Sequence, residues 1–375
     1  MIIAVRALIL LLVLPFTVNA QVPSPPELGA RGYILMDHSS GQILAAQNEH
    51  EHLDPASITK LMTAYAAFRA LAEGQIKLDD EVPVSENAWR TPGSRMFIEV
   101  NTRVSVEDLL QGMIVQSGND ASVAMAEYLA GSEATFAQLM TQYAKELGML
   151  NTQYRNATGL PAEGHQTTAA DIARLASVIV TNYPEYYRWY SQREFTYNGI
   201  TQKNRNALLW RDPSVDGMKT GMTDAAGYCL VSSAQREDMR LIAVVLGTKS
   251  PTARANDSQA LLNYGFRFYE TRLLYPVGDA ITQARVWKGD QETMGLGVQQ
   301  DIYVTIPRGS YDRLEAQLDL PQQLVAPVEP TDRLGTLRVS LADRTLMEAN
   351  LFALNAVPEG TIWQRARDSV LLWFE

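Results

Sequence analysis

Asp54-Pro55-Ala56-Ser57-Ile58-Thr59-Lys60 begins the helix around which the rest of the chain is arranged. Asp54 can cap this helix, and Pro55 suits the first helical position because its missing N–H would have no partner there. Ser57 and Lys60 fall on one helical face, near the positive end of the helix dipole. A serine hydroxyl needs a base to become a nucleophile, and lysine is a base only when burial or a second cation lowers its pKa. The stretch therefore predicts a catalytic pair that needs a second cation from elsewhere in the chain.

The first twenty residues have the pattern of an export signal. Arg6 provides a positive start, residues 7–14 are apolar, and Val18-Asn19-Ala20 fits a cleavage site. An uncleaved membrane anchor is the alternative, but the apolar run is short for a membrane span. We therefore expect the mature protein to begin near Gln21 and to act outside the cytoplasm.

Composition limits the partners and the means of stabilisation. The formal net charge of −10 argues against nucleic acid as a partner. The single cysteine, Cys229, cannot form an internal disulfide, so stability must come from apolar cores.

The order of predicted elements indicates an α+β domain at residues 21–271. A hairpin at 32–47 comes first, and several helices follow the one that carries Ser57. Strands come last, at 194–197, from 200 onward, at 227–234 and at 240–247, with a closing helix at about 252–269. This order predicts an antiparallel sheet with a cluster of helices inserted between its first and later strands.

Two further segments follow the first domain. Residues 272–357 alternate like short strands and predict a small all-β domain. Residues 358–375 predict an amphipathic helix, too short and too charged to span a bilayer but suited to the membrane interface. A helix docked on the β-domain is the alternative. The predicted apolar face consists of Ile362, Trp363, Ala366, Val370 and Trp373.

Two other short motifs carry reactive or polar groups. Ser117-Gly118-Asn119 falls at a junction between two predicted helices, where a hydroxyl and an amide can be held rigidly in a cleft. Lys219-Thr220-Gly221 lies on a predicted strand whose glycines allow close approach of a ligand. Lys219 could supply the second cation. Each motif is common by itself, so the order of all three is what points to a site.

In this order, the three motifs resemble those of the serine penicillin-binding proteins and β-lactamases. From about Ala30 onward, the chain is similar to the low-molecular-weight D-alanyl-D-alanine carboxypeptidases. That resemblance implies a β-lactamase/transpeptidase-like catalytic domain, a β-rich second domain and a C-terminal membrane helix. It also implies an exported protein on the periplasmic face of the inner membrane, with no cofactor and no metal.

The resemblance further implies an acyl-enzyme mechanism on peptidoglycan pentapeptides ending in D-Ala-D-Ala, with β-lactam antibiotics as covalent inhibitors. Ser57 would attack, Lys60 would accept its proton, and Ser117 would relay a proton with Lys219 tuning its acidity. Asn119 would bond the substrate amide or Lys60, and the N–H groups of Ser57 and Met222 would form an oxyanion hole. The implied substrate-binding residues are Lys219, Thr220, Gly221, Met222, Thr223, Arg205 and Arg254, with Arg254 reading the terminal carboxylate.

Several rival functions remain open at this stage. A class A β-lactamase would need a glutamate that activates the deacylating water, but residues 161–171 lack a Glu-x-x-x-Asn pattern. An endopeptidase relative would usually lack the β-domain and the terminal helix. A catalytically idle wall-binding scaffold is a further alternative. His50-Glu51-His52 is interpreted as a solvated turn rather than a metal site. Met222 also departs from the pattern, since some relatives carry histidine there.

Overall fold

A computed structural model of the chain describes residues 22–374, so the predicted export signal at residues 1–20 lies outside the described residues. The strands are β1 (Gly32–Asp37), β2 (Ile43–Gln47), β3 (Glu81–Pro83), β4 (Arg103–Ser105), β5 (Glu194–Tyr197), β6 (Ile200–Lys203), β7 (Val215–Thr223), β8 (Gly227–Arg236), β9 (Met239–Thr248), β10 (Tyr269–Tyr275), β11 (Thr282–Trp287), β12 (Thr293–Gly297), β13 (Ile302–Pro307), β14 (Leu314–Asp319), β15 (Leu324–Val325), β16 (Arg333–Leu341) and β17 (Arg344–Ala353). The α-helices are α1 (Lys60–Ala72), α2 (Glu86–Arg90), α3 (Val106–Gln111), α4 (Asn119–Ala130), α5 (Glu133–Glu146), α6 (Ala169–Asn182), α7 (Pro184–Tyr187), α8 (Leu208–Arg211), α9 (Pro251–Phe268) and α10 (Ile362–Leu371).

The frame of the first part is an antiparallel sheet with strand order β2-β1-β9-β8-β7. All of α1 to α8 lie between β2 and β7 in the chain, as the sequence predicts. Because β1 pairs with β9, the sheet closes only after the whole helical cluster has been inserted. The insertion brings β7, at one edge of the sheet, beside the turn that precedes α1.

Both faces of this sheet are buried. On β9, Ile242 and Val244 face the core shared with the helical cluster, whereas Leu241 and Ala243 face a second core against α9. This alternation is the period of two expected of a strand. The first part of the chain is therefore a sheet held between two helical layers, which makes its β7 edge a rigid support.

The start of α1 differs from the sequence prediction. The chain enters through a 3₁₀ turn, Ala56–Thr59, and neither this turn nor α1 has a side-chain cap, so the predicted Asp54 cap is wrong. Pro55 precedes the turn instead of opening the α-helix. The reason is local: a cap at Asp54 would bond the N–H of Ala56 or Ser57, but Ala56 adopts a left-handed φ of 47°, which is not helical.

The second part is built from two sheets. One has the order β14-β16-β17-β12-β11-β15, and β10 pairs with β13 in the other. Strand β10 runs across residues 271 and 272, where the sequence analysis put a boundary between domains. Two small apolar clusters fill this part, as expected of a short-stranded β-domain.

The terminal helix docks on the β-domain through its polar side. Asp368 is buried and accepts a 2.7 Å hydrogen bond from the backbone N–H of Lys288. Arg367 pairs with Glu292 at 2.9 Å. The five residues of the predicted apolar face are all exposed. The helix is thus docked, but with its apolar face turned away from the protein. None of the helices in residues 22–374 is long and apolar enough to cross a bilayer.

Candidate active site

The three motifs meet in one cleft of about 460 Å³. Ser57 comes from the 3₁₀ turn and Lys60 is the first residue of α1. Ser117 ends a π-helical turn (Gly112–Gln116), and Asn119 begins α4. Lys219 lies in β7. The predicted residues that line the cleft are Ser57, Ser117, Asn119, Arg205, Thr220, Gly221, Met222, Thr223 and Arg254.

Lys60 is the best-connected group of the site. Its Nζ donates to the Asn119 Oδ1 and to the Thr158 carbonyl, both at 2.7 Å, and lies 3.1 Å from the Ser57 Oγ. A neutral amine has two N–H donors and one lone pair. Because two neighbours are pure acceptors and take both donors, the lone pair faces the Ser57 hydroxyl. This is the geometry of a base positioned to take the serine proton.

The environment of Lys60 favours its neutral form. Its side chain is only 1% exposed, and burial, followed by the nearby Arg205 guanidinium, lowers the pKa of Lys60 to about 7. The sequence analysis gave the role of second cation to Lys219. Arg205 is a further cation that acts on Lys60, and the Lys60 and Lys219 amines also repel each other. The pKa of Lys219 is itself well below its ordinary value, because of burial and then of Lys60, Arg205 and Arg254. Two buried amines close together cannot both carry a charge at low cost.

Ser117 and Lys219 are not bonded to each other in this state. The Ser117 hydroxyl is buried without a partner, and its residue has a left-handed φ of 70°. The Lys219 Nζ donates to the carbonyl of Thr220 at 3.1 Å. A strained residue with an unsatisfied hydroxyl is typical of a functional position.

The loop at residues 155–166 completes the site, and sequence reasoning missed it. Thr158 supplies the carbonyl that holds Lys60, and Gly159 lies so close to the Ser57 turn that an added Cβ would be 1.8 Å from the Ala56 oxygen. His165, to which no role was given, ties the loop to Thr59 with a 2.8 Å hydrogen bond.

The protonation of His165 follows from its two contacts. Its Nδ1 accepts from the backbone N–H of Arg155, so the proton is on Nε2 and is donated to Thr59. Burial, and then the Arg155 guanidinium, lowers the pKa of His165 to about 4. His165 is therefore a neutral structural tie. His165 follows Gly164 directly, and nothing in this local sequence gave a signal for the contact.

The edge strand β7 forms the opposite wall. A Cβ on Gly221 would lie 3.2 Å from the Ala56 Cβ and the Pro55 oxygen, so glycine permits close contact with the Ser57 turn. The Arg254 guanidinium donates to the carbonyl of Gly221 at 3.1 Å and packs near the Tyr228 ring. The half-exposed side chain of Met222 lies at the rim. The Arg254 guanidinium therefore places a positive charge in the lining of the cleft, where no carboxylate of the described residues accompanies it.

The family follows from a comparison of this chain with known protein families. A model described as D-alanyl-D-alanine carboxypeptidase matches residues 19–250. The chain belongs to the D-alanyl-D-alanine carboxypeptidase family. A second model, penicillin-binding protein 5, C-terminal domain, matches residues 269–359. The family membership confirms the predicted fold class and the predicted carboxypeptidase activity.

Individual members of this carboxypeptidase family match over nearly the whole chain. The D-alanyl-D-alanine carboxypeptidase DacC of Escherichia coli is 45% identical, over 94% of this chain and 90% of the relative. The crystal structure of penicillin binding protein 5 from Haemophilus influenzae has a TM-score of 0.87 and 40% identity, and the match covers 90% of this chain and 100% of that one. The ampicillin-bound penicillin-binding protein D2 of Listeria monocytogenes has a TM-score of 0.60 and 30% identity, with 65% of this chain and all of that one covered.

The carboxypeptidase site also differs from what a class A β-lactamase would need. Among the described residues, no aspartate or glutamate lines the cleft. Glu163 is exposed, and Asp171 is bonded to Thr152 beside the start of α6. Within residues 22–374, the cleft lining thus lacks the carboxylate with which a class A β-lactamase activates a deacylating water molecule.

Proposed function

We propose that Ser57 is the nucleophile with which this carboxypeptidase removes the terminal D-alanine from peptidoglycan pentapeptides. The observation that carries the proposal is the Lys60 amine, whose two donors are taken by Asn119 and Thr158 while its lone pair faces Ser57. The Ser57 Oγ attacks the carbonyl between the two D-alanines as Lys60 accepts the proton. The bond to the leaving D-alanine then breaks, and an ester to Ser57 remains.

Two further groups serve the acyl-transfer steps. The backbone N–H groups of Ser57 and Met222 stabilise the oxyanion, which is usually the largest electrostatic contribution in acyl transfer. The Ser117 hydroxyl relays the proton: it gives its own proton to the leaving amine and takes the one held by Lys60, which returns to its neutral form, and Lys219 tunes the acidity of Ser117. Ser117 suits this role because it is buried in the site with no protein partner. Water then hydrolyses the ester and frees Ser57.

Recognition of the free C-terminus falls to the β7 side of the cleft. The Arg254 guanidinium keeps donors available beyond its bond to Gly221, and a guanidinium can hold a carboxylate with two parallel hydrogen bonds. Thr220 and Thr223 line the same wall. Arg205 lines the cleft as well and acts on Lys60 electrostatically.

β-Lactam antibiotics are proposed to act as covalent inhibitors of Ser57. They acylate the serine by the same attack, and among the described residues no carboxylate lines the cleft to speed the attack of water on the ester. A long-lived penicilloyl enzyme follows from this arrangement. A β-lactamase would instead release the hydrolysed drug quickly.

Intact-mass analysis of the purified mature protein tests the proposal. The protein is incubated separately with penicillin and with a pentapeptide ending in D-Ala-D-Ala, beside a Ser57→Ala control. The expected result is a stable penicilloyl adduct and loss of one alanine from the peptide, both absent in Ser57→Ala. Rapid penicillin hydrolysis without an adduct would overturn the inhibitor role, and an adduct that persists in Ser57→Ala would overturn the assignment of the nucleophile.

We further propose that the protein is exported and held on the periplasmic face of the inner membrane by its terminal helix. The polar side of α10 is docked through Asp368, so Trp363 and Trp373 point away from the protein at 85% and 90% exposure. Aromatic residues on the free face of a short helix favour the membrane interface. A protein truncated at Val357 should stay in solution when the full mature chain co-sediments with anionic vesicles. Equal sedimentation of both would overturn the anchor.

A further inference from the structure

Asp120, the residue after the Ser117-Gly118-Asn119 motif, is buried at the start of α4 with only 1% of its surface exposed. Its Oδ1 accepts from the backbone N–H groups of Met96 at 3.0 Å and of Ala121 at 2.9 Å. Its Oδ2 accepts from those of Phe97 at 2.9 Å and of Ile98 at 3.3 Å. Three successive N–H groups of one loop, residues 92–98, therefore converge on a single carboxylate.

The 92–98 loop in turn holds Asn119. The Pro92 carbonyl accepts from the Asn119 side-chain amide at 2.6 Å, and the Ser94 carbonyl accepts from the Asn119 backbone N–H at 2.7 Å. With its Nδ2 fixed in this way, Asn119 must present its Oδ1 to Lys60. The orientation of the base thus depends on a loop that contributes none of the three motifs.

This loop is not in a relaxed conformation. Phe97 has a left-handed φ of 70°, which costs free energy for a residue with a side chain. The glycine of the second motif is required by the same packing, since a Cβ on Gly118 would lie 2.9 Å from the Asp120 Oδ1 and 3.3 Å from the Met96 nitrogen. The carboxylate supplies the bonds that keep the strained loop in place.

We infer that Asp120 is a positioning residue for the reaction: its carboxylate fixes the 92–98 loop, the loop fixes Asn119, and Asn119 orients Lys60 toward Ser57. The inference rests on the proposed role of Ser57 and Lys60. It assigns a defined purpose to a carboxylate that touches neither substrate nor reacting atoms. Asparagine cannot replace it, because an amide nitrogen would face two N–H donors.

The decisive experiment compares penicillin acylation of the wild-type mature chain and of Asp120→Asn over time, by intact mass. A misplaced base slows the reaction, whereas a merely destabilised protein has fewer competent molecules. Asp120→Asn should therefore lower the saturating acylation rate constant about 10- to 100-fold, while the final adduct still reaches the wild-type stoichiometry. Trypsin should also cut faster after Arg95, which lies within the loop.

Gly93→Ala perturbs the contact between the 92–98 loop and Asn119 from the loop side. This second variant keeps the inference testable if Asp120→Asn does not fold. A Cβ on Gly93 would lie 2.7 Å from the Asn119 Nδ2, so this variant should also acylate slowly. Asp37→Asn is the matched control, because Asp37 is a fully buried carboxylate that accepts from the Ser40 N–H and from the Thr271 hydroxyl, away from the cleft. It should acylate at the wild-type rate constant.

The outcomes separate the inference from the proposed function. If the wild-type chain forms no adduct, the role of Ser57 fails and the inference fails with it. If the wild type reacts and Asp120→Asn or Gly93→Ala reacts at the same rate constant, the inference alone is overturned. A loss of stoichiometry at an unchanged rate constant also overturns it, since that result indicates only a contribution to stability.

Discussion

The Lys60 amine donates a 2.7 Å hydrogen bond to the carbonyl oxygen of Thr158, which lies 98 positions later in the chain. Lys60, the proposed base, is therefore held by a backbone carbonyl on a loop that contains none of the three motifs. That loop can approach only because the next residue, Gly159, has no side chain. The distance between the 155–166 loop and the Ser57 turn should then control both stability and acylation.

Replacing Gly159 by alanine tests this close approach. The new Cβ would lie 1.8 Å from the Ala56 oxygen, and the residue has a φ of 84° that disfavours a side chain. The expected loss in free energy of unfolding is about 1–3 kcal/mol beyond the cost of the φ angle alone, measured by urea denaturation. Acylation by penicillin should also slow, because the Thr158 carbonyl moves with its neighbour.

Gly131→Ala is the matched control for this substitution. Gly131 has a comparable φ of 75°, but nothing lies within 4 Å of its added Cβ. The difference between the two variants therefore isolates the contact with Ala56 from the backbone strain. Equal losses of stability in both variants would show that the close approach is unimportant.

Acylation of Ser57 should depend on pH through Lys60. With a pKa of about 7, the neutral amine becomes more populated as the pH rises, so the rate constant should increase between about pH 6 and pH 8 and then level off. Arg205→Gln removes a cation that lowers this pKa. The rising limb should then move to higher pH, with an acylation rate about three- to tenfold lower at neutral pH that recovers in alkali.

A stopped-flow pH profile with a fluorescent penicillin provides the measurement. Arg90→Gln is a suitable control, since Arg90 is an exposed arginine paired with Glu86. If Arg205 only contacted the substrate, its replacement would weaken substrate binding and would leave the rising limb of the pH profile at the same pH. That outcome would show that Arg205 does not lower the pKa of Lys60.

Arg254→Gln should weaken recognition of the substrate's free carboxylate. A charge-assisted hydrogen bond contributes about 1.5–3 kcal/mol, so kcat/KM for a D-Ala-D-Ala peptide should fall roughly 10- to 100-fold. For the same peptide with an amidated C-terminus, kcat/KM should already be low with the wild type, and it should fall little further with the variant. If Arg254→Gln still prefers the free acid to the same extent, another group reads the carboxylate.

Replacing Trp363 and Trp373 by serine should weaken binding to anionic vesicles. Each exposed indole can bury apolar surface in the interface, which we expect to contribute about 1–2 kcal/mol. The vesicle-bound fraction should therefore fall at a fixed lipid concentration, while penicillin acylation in solution stays unchanged. Leu150→Ser is the control, because Leu150 is 77% exposed but lies on the catalytic part. An equal effect of both substitutions would argue against a specific lipid-facing helix.

The sequence predicted the fold where local signals and periodicity are strong. The predicted junction between two helices at Ser117-Gly118-Asn119 is correct, because α4 begins at Asn119, and it ends before Gly131, which has a left-handed conformation. The strands β8 and β9 lie within two residues of the positions predicted from the sequence, 227–234 and 240–247. Prediction failed at Asp54, because the left-handed φ of 47° at Ala56 takes the chain out of the helical geometry that a cap there requires.

Residue types and order alone determined the reactive groups, since Ser57, Lys60, Ser117 and Lys219 could be named before any contact was known. Only the tertiary structure decided how those groups are tuned and held. The pKa of Lys60 depends on burial and on Arg205. The orientation of the Lys60 amine depends on the Thr158 carbonyl and on the loop that Asp120 fixes. Desolvation and backbone hydrogen bonds have no sequence signature, because they arise from residues that become neighbours only when the chain is folded.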